Sequence, residues 1–117
     1  MVEIEVTPEV LRVHVKGFDR FLTIKSHLEV PLDHVVGVEP GIDRATWEEL
    51  RHSFRVGTVA GGFVAGTFRH HGEWMFWDLH DPARAITILL AHDRFKKVVV
   101  EVGDPEEAVA RIRAALA

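Results

Sequence analysis

Histidines and carboxylates are the side chains of this sequence best suited to chemistry, and one stretch concentrates them. The sequence has eight histidines. The densest group lies between positions 70 and 81 and comprises His70, His71, Glu73, Asp78, His80 and Asp81. A metal site needs three or four such groups converging on one point. Adjacent histidines in a strand point to opposite faces, and Glu73 and His80 would lie about 23 Å apart along it. The spacing therefore predicts exposed turn histidines and no metal site.

Candidate nucleophiles are few. The sequence has no cysteine, and neither Ser26 nor Ser53 lies in the G-x-S-x-G turn of a serine hydrolase. These absences favour a non-catalytic protein. One catalytic alternative stays open, namely a small hydrolase or isomerase that uses a carboxylate or histidine near Asp78 and His80.

Residues 57–66 form a glycine-rich stretch that resembles a phosphate-binding loop only superficially. The stretch contains four glycines, but it lacks the Lys-Ser/Thr pair of a Walker loop and the G-x-G-x-x-G of a dinucleotide site. We expect a flexible loop whose glycines permit positive φ and close backbone approach. Its apolar tip, Gly61-Gly62-Phe63, could contact a partner or a membrane surface.

Residues 74–77 are apolar on both faces of a predicted strand, which is typical of a central strand covered on each side. Asp78 directly follows Trp77 and is the odd residue of this segment. A carboxylate in apolar surroundings needs a partner. We expect Asp78 to cap the following turn or to pair with Arg69 or Arg84.

Period-two alternation of apolar and polar residues predicts the strands that position these groups. The predicted strands cover residues 2–6, 11–15, 27–30, 34–39, 65–69, 73–79, 85–90 and 97–102. The strands at 65–69 and 73–79 form a hairpin. Residues 18–25 fit neither period and are predicted as a short helix or a strand.

Two helices are predicted from capping residues and apolar stripes. Asp43 caps a short helix whose apolar face consists of Trp47, Leu50 and Phe54. Asp104 caps a C-terminal helix that has Pro105 at its first position and Glu107 in the capping-box place. The apolar stripe of this second helix consists of Val109, Ile112 and Leu116.

Length and composition restrict the classes of protein to which the chain can belong. The 117 residues suit one domain spanning 1–117. A net charge of −4 disfavours nucleic acid as a partner. The N-terminal residues lack the features of a signal peptide, and no apolar run reaches the length of a transmembrane helix. We therefore expect a soluble cytoplasmic protein without a transmembrane segment, and peripheral membrane contact stays open.

Two sets of residues carry a family resemblance. The first set is Glu29-Val30-Pro31-Leu32 with Val35 and Val38. The second is Gly66-Thr67-Phe68, Phe76-Trp77-Asp78, Pro82, Ala85-Ile86, Ile88, residues 98–102 and Asp104-Pro105. These residues resemble a set of uncharacterised bacterial proteins with a pleckstrin-homology-like fold. The resemblance implies a mostly-β domain, either a small barrel or a two-sheet sandwich, with about seven antiparallel strands and a C-terminal helix.

The leading functional hypothesis is a non-catalytic binding or scaffolding module that acts through protein contacts or self-association. It rests on the implied fold and on the missing catalytic groups, and it requires no cofactor. The candidate contact residues are Gly61, Gly62, Phe63, Trp77 and Asp78. Besides the catalytic alternative, a carrier of a small apolar ligand, bound between the glycine stretch and the mouth of a barrel, stays open.

Overall fold

The computed structural model describes residues 1–16, 27–61 and 63–117. The strands are β1 (Val2–Val6), β2 (Val10–Val15), β3 (His27–Pro31), β4 (Val35–Pro40), β5 (Phe54–Ala60), β6 (Phe63–His70), β7 (Glu73–Leu79), β8 (Ala85–Leu90) and β9 (Phe95–Glu101). The helices are α1 (Arg44–Arg51) and α2 (Pro105–Leu116). The predictions for residues 18–25 and for Gly62 fall outside the described residues.

The described strands form two sheets. A three-stranded sheet has the order β1-β2-β3, and a six-stranded sheet has the order β4-β8-β9-β7-β6-β5. The predicted mostly-β class with two sheets and a C-terminal helix is confirmed. The barrel alternative is wrong, because the six-stranded sheet ends in β4 and β5 and does not close. The described strands also exceed seven, and one pair is parallel: β9 lies antiparallel to β8 and parallel to β7.

The six-stranded sheet is buried on both faces. One face packs against the three-stranded sheet and α2 and contributes Phe76 to their shared core. The other face packs against α1 and contributes Trp77 to a smaller core. Neighbouring residues of a strand point to opposite faces, so β7 supplies both cores. The prediction of a central strand apolar on both faces is confirmed.

Helix α1 begins after its predicted N-cap, Asp43, but ends before Phe54, the last residue of the predicted apolar face. The Asp43 carboxylate accepts a 2.7 Å hydrogen bond from the Thr46 amide, and Leu50 is buried. At the C-terminal end, the Ser53 hydroxyl donates to the Leu50 carbonyl at 2.7 Å. The prediction for Phe54 is wrong, because this residue lies beyond the helix end at Arg51 and begins β5.

The glycine-rich stretch is not a flexible loop, and this prediction is also wrong. Its described residues belong to β5, β6 and the turn between them, where Gly61 has a φ of 58°. Gly57 lies opposite Gly66, and a Cβ added to Gly57 would clash with the Ala65 carbonyl oxygen. The predicted close backbone approach is therefore present, between two paired strands.

Helix α2 follows its predicted start. The Asp104 carboxylate accepts a hydrogen bond from the Glu107 amide at 3.1 Å, and Pro105 is the first helical residue. Val109 and Ile112 are buried as predicted, whereas Leu116 at the last turn is exposed. The helix closes the edge of the larger core along β4 and β1.

Candidate functional site

The four candidate contact residues that the structure describes do not form one site. Trp77 is fully buried in the α1 core, with its ring 5.4 Å from that of Trp47. Phe63 begins β6 and its ring lies 4.2 Å from that of His80. Asp78 points to the sheet face opposite Trp77, and Gly61 lies in the β5–β6 turn. The structure therefore joins Phe63 to the end of β7 and places Trp77 in the core.

Asp78 is buried, and its ion pair with Met1 was not predicted. Among the described residues, its Oδ2 forms an ion pair with the α-ammonium group of Met1 at 3.4 Å. The predicted pairing with Arg69 or Arg84 is wrong, since the strands bring the chain start to this carboxylate instead. The turn cap assigned to Asp78 is supplied by Asp81, which accepts from the Ala83 amide at 3.0 Å.

Glu101 is a buried carboxylate that the sequence analysis missed. Its Oε1 accepts hydrogen bonds from the His80 amide at 2.7 Å and from the Asp81 amide at 2.9 Å. These bonds fasten the turn after β7 to the end of β9. A charged residue inside the run Val98-Val99-Val100-Glu101-Val102 was the available signal, because such a carboxylate needs donors.

A second polar cluster joins α1 to β9. Glu49 accepts from the Lys96 ammonium at 2.6 Å and from the Lys97 ammonium at 2.7 Å. Burial raises the pKa of Glu49, but the hydrogen bonds from the two lysines outweigh burial and hold its pKa below the usual range. Nearby, burial and the neighbouring His71 lower the pKa of His70. The opposed charges of this cluster suit it to fastening α1 rather than to binding a ligand.

The outer edge of β5 is the most open feature of the six-stranded sheet. β5 is the terminal strand of the order, it has seven residues, and it pairs with β6 without a bulge. Phe54 is 70% exposed and Val59 is 40% exposed. Arg55 is the sole charged residue in β5. Edge strands usually carry bulges, prolines or several charges that prevent pairing with other chains.

The other edges carry such protection. β4 is interrupted by a register shift and ends in Pro40, and Arg113 of α2 donates to the Val38 carbonyl at 2.9 Å. At β1, Arg111 of α2 donates to the Ile4 carbonyl at 2.8 Å. β3 has five residues and ends in Pro31. β5 alone among the described edges combines length, regular pairing and exposed apolar side chains.

An open groove lies at the opposite end of the six-stranded sheet, beside the start of α1. Its volume is about 620 Å³, and it is lined by Glu39, Pro40, Gly41, Ile42, Asp43, Thr87 and Leu89. Asp43 caps α1, and Glu39 pairs with Arg113 at 3.2 Å, so both carboxylates have structural partners. None of the candidate contact residues lines this groove.

Two features are absent from the described residues. No group of three or more His, Asp or Glu side chains is placed to hold a metal ion there. Within the same residues, neither helix is long and apolar enough to cross a membrane.

Comparison with known proteins found no relative from which a function could be inferred. No protein-family model, curated protein or solved structure matches the chain.

Proposed function

We propose that this protein is a non-catalytic binding module that self-associates by pairing the β5 edges of two copies. The observation that carries the proposal is the outer edge of β5. Its backbone amides and carbonyls can be satisfied by another extended strand, and Phe54 and Val59 offer apolar contacts on the two faces of that strand.

The sequence of β5 is compatible with antiparallel pairing to itself about Gly57. In that register, Arg55 of one copy lies opposite Val59 of the other, and Phe54 lies opposite Ala60. Directly opposite residues of an antiparallel pair share a face. No like charges meet across the two-fold axis, and the methylene groups of Arg55 cover the exposed Val59. A closed two-fold dimer follows, which is the commonest symmetry of homo-oligomers.

A second copy is a better occupant than an unrelated peptide for two reasons. Arg55 is the only charged residue of β5, so the strand lacks the series of charged side chains that could select a peptide of different sequence. Self-pairing also continues the existing ladder, so each copy extends the six-stranded sheet of the other. The regular pairing of β5 with β6 holds the strand in the extended form that this requires.

The alternatives have weaker support. The carrier hypothesis needs the mouth of a barrel, and the described sheets do not close into one. The hydrolase or isomerase hypothesis needs Asp78 to face a substrate, whereas this carboxylate is buried and pairs with the Met1 ammonium group at 3.4 Å. A pleckstrin-homology-like identity is part of our proposal, and the two sheets and the C-terminal helix support it. A cytoplasmic location is also part of the proposal, and the absence of cysteine supports it.

Sedimentation velocity over a concentration series tests the proposal. We expect the wild-type protein to shift from monomer to dimer as its concentration rises. The double variant Phe54→Lys/Val59→Lys should stay monomeric, because lysine on an edge strand opposes edge pairing. Val36→Lys is the matched control, since Val36 is 64% exposed and lies on the protected β4 edge. A wild-type monomer at all concentrations, or equal dimer formation by both variants, would contradict the proposal.

A further inference from the structure

One end of the six-stranded sheet carries a cross-strand row of aromatic and arginine side chains. Phe54 on β5 is directly opposite Arg69 on β6, and Arg69 is directly opposite Trp74 on β7. Trp74 is in turn opposite Phe95 on β9. Residues directly opposite each other share a face of the sheet. Arg94 precedes Phe95 and covers its ring. We call these five residues the cation–aromatic row.

The two arginines of the row lie on aromatic rings. The Cζ atom of Arg69 is 5.7 Å from the centroid of the Trp74 ring, and that of Arg94 is 5.5 Å from the centroid of the Phe95 ring. A guanidinium group at this distance is attracted by the ring face. Both arginines are nevertheless exposed, so their N–H donors face solvent. Their planar groups are therefore partly ordered before a partner binds, which suits the bidentate recognition of phosphate.

The carboxylates adjacent to the row in the sequence are engaged elsewhere. Asp93 lies 2.8 Å from Nδ1 of His34, and Glu73 pairs with Lys96 at 3.8 Å. The row itself contains two cations and no carboxylate. Its charge is therefore opposite in sign to the net charge of −4 of the whole chain.

The row also has an apolar part at the end of the sheet. Phe54 is the first residue of β5 and is 70% exposed. Trp74 is half-buried, and its inner side packs against the larger core. Amphipathic aromatic side chains of this kind are enriched where an apolar phase meets water. An exposed phenyl ring beside two arginines is the combination that binds the boundary between lipid headgroups and acyl chains.

We propose that the cation–aromatic row docks the protein on anionic lipid membranes, with Phe54 entering the headgroup region and Arg69 and Arg94 contacting lipid phosphates. A membrane fits better than a soluble polyanion, because it meets only the end of the molecule that is presented to it. The protein extends 24 Å even in its shortest dimension. Acidic side chains at the far end lie well beyond the Debye length of about 8 Å and are screened from the lipid charge.

This surface is separate from the glycine-rich tip at which the sequence suggested a membrane contact. Gly61 and Phe63 lie at the other end of β5 and β6. The docking also does not require self-association, since Arg69, Trp74 and Arg94 are not part of β5. Phe54 alone belongs to both surfaces, so the arginines provide the test that distinguishes them.

Co-sedimentation with large unilamellar vesicles tests the proposal. We expect the wild-type protein to bind vesicles that mix phosphatidylcholine with phosphatidylglycerol and not to bind vesicles of phosphatidylcholine alone. Arg69→Gln and Arg94→Gln should each weaken binding about fivefold, and added salt should weaken wild-type binding. Arg44→Gln is the matched control, because Arg44 is an exposed arginine at the start of α1, at the opposite end of the sheet.

A second set of variants tests the apolar contact and separates it from β5 pairing. Phe54→Ser should weaken vesicle binding about tenfold, because the burial of its ring is lost. Val36→Ser, which removes another exposed apolar side chain, should have no effect. Val59→Ser removes an apolar contact of the β5 edge from the opposite face and should bind vesicles as the wild type does.

Circular dichroism checks that each variant folds. Failure of the wild type to bind anionic vesicles, equal binding to neutral vesicles, or an equal loss in Arg44→Gln and Arg69→Gln would each overturn the proposal. Binding of a single-stranded oligonucleotide that is as tight as vesicle binding, and that is weakened in Arg69→Gln, would overturn it in favour of a nucleic-acid surface.

Discussion

Introducing a positive or a negative charge at Val59 tests the register proposed for the β5 dimer. In antiparallel pairing about Gly57, residue 59 of one copy faces Arg55 of the other. Val59→Arg therefore places two arginines opposite each other, and Val59→Glu places a glutamate opposite an arginine. Both variants change an exposed edge residue, so each monomer should fold as the wild type does.

The expected difference follows from the number of contacts. An opposite-charge pair directly across an antiparallel ladder contributes roughly 0.2–1 kcal/mol, and a like-charge pair is destabilising by a similar amount. The two-fold axis creates this contact twice. The two variants should therefore differ by about 1–4 kcal/mol in dimer free energy, or roughly fivefold to several hundredfold in the dimer dissociation constant.

Sedimentation equilibrium at low ionic strength measures this dissociation constant, and added salt should shrink the difference because it screens exposed charges. The double variant Arg55→Glu/Val59→Arg restores opposite charges and should recover the dimer lost in Val59→Arg. Equal dissociation constants for Val59→Arg and Val59→Glu, or failure of the double variant to recover association, would refute the proposed register.

Three further predictions concern stability. Gly57→Val should destabilise the fold by about 1–3 kcal/mol in urea denaturation, because a Cβ there would clash with the Ala65 carbonyl oxygen of β6. Gly103→Val is the control and should cost less, because nothing lies within 4 Å of a Cβ at that position. Equal losses of stability in the two variants would contradict this reasoning. Glu101→Ala should cost about 2–3 kcal/mol by the same assay, since two amides lose their acceptor; a change near zero would show that water replaces the carboxylate. The folded pKa of Glu49 lies below its unfolded value, so its stabilisation is complete above about pH 4.3 and is lost as the pH falls through the folded pKa. Melting temperatures of Glu49→Gln should therefore fall less on acidification than those of the wild type, and parallel curves would contradict this assignment.

Locally determined features were the ones that the sequence predicted well. Asp43 and Asp104 sit at helix starts and accept from amides three residues onward, so their roles depend only on nearby residues. The alternation of β1 and β2 and the turn between β6 and β7 are likewise local. These features do not depend on distant parts of the chain.

Features set by distant partners were missed. Phe54 continued the apolar spacing of α1, but the helix ends at Arg51 and pairing with β6 takes over. Glycines normally weaken strands, yet Gly57 belongs to β5 because it allows close approach to β6. Asp78 pairs with Met1, which is 77 positions away, and spacing along the chain cannot reveal such a contact. The cation–aromatic row likewise depends on strand register.

Disulfide trapping tests the central claim, self-association through β5, most directly. The chain has no cysteine, so the double variant Arg55→Cys/Val59→Cys introduces the only thiols. Directly opposite residues of an antiparallel pair have Cα atoms about 4.5–5.5 Å apart, within the range that a disulfide bridges. Within one chain the two cysteines lie about 13 Å apart along the strand and cannot bond.

Mild oxidation of this double variant should give a covalent dimer on non-reducing gel electrophoresis. The single variants Arg55→Cys and Val59→Cys should stay largely monomeric, because each places its cysteine opposite a residue without a thiol. A covalent dimer from the double variant alone is the result that the account predicts. No dimer from the double variant, or equal cross-linking by the single variants, would contradict it.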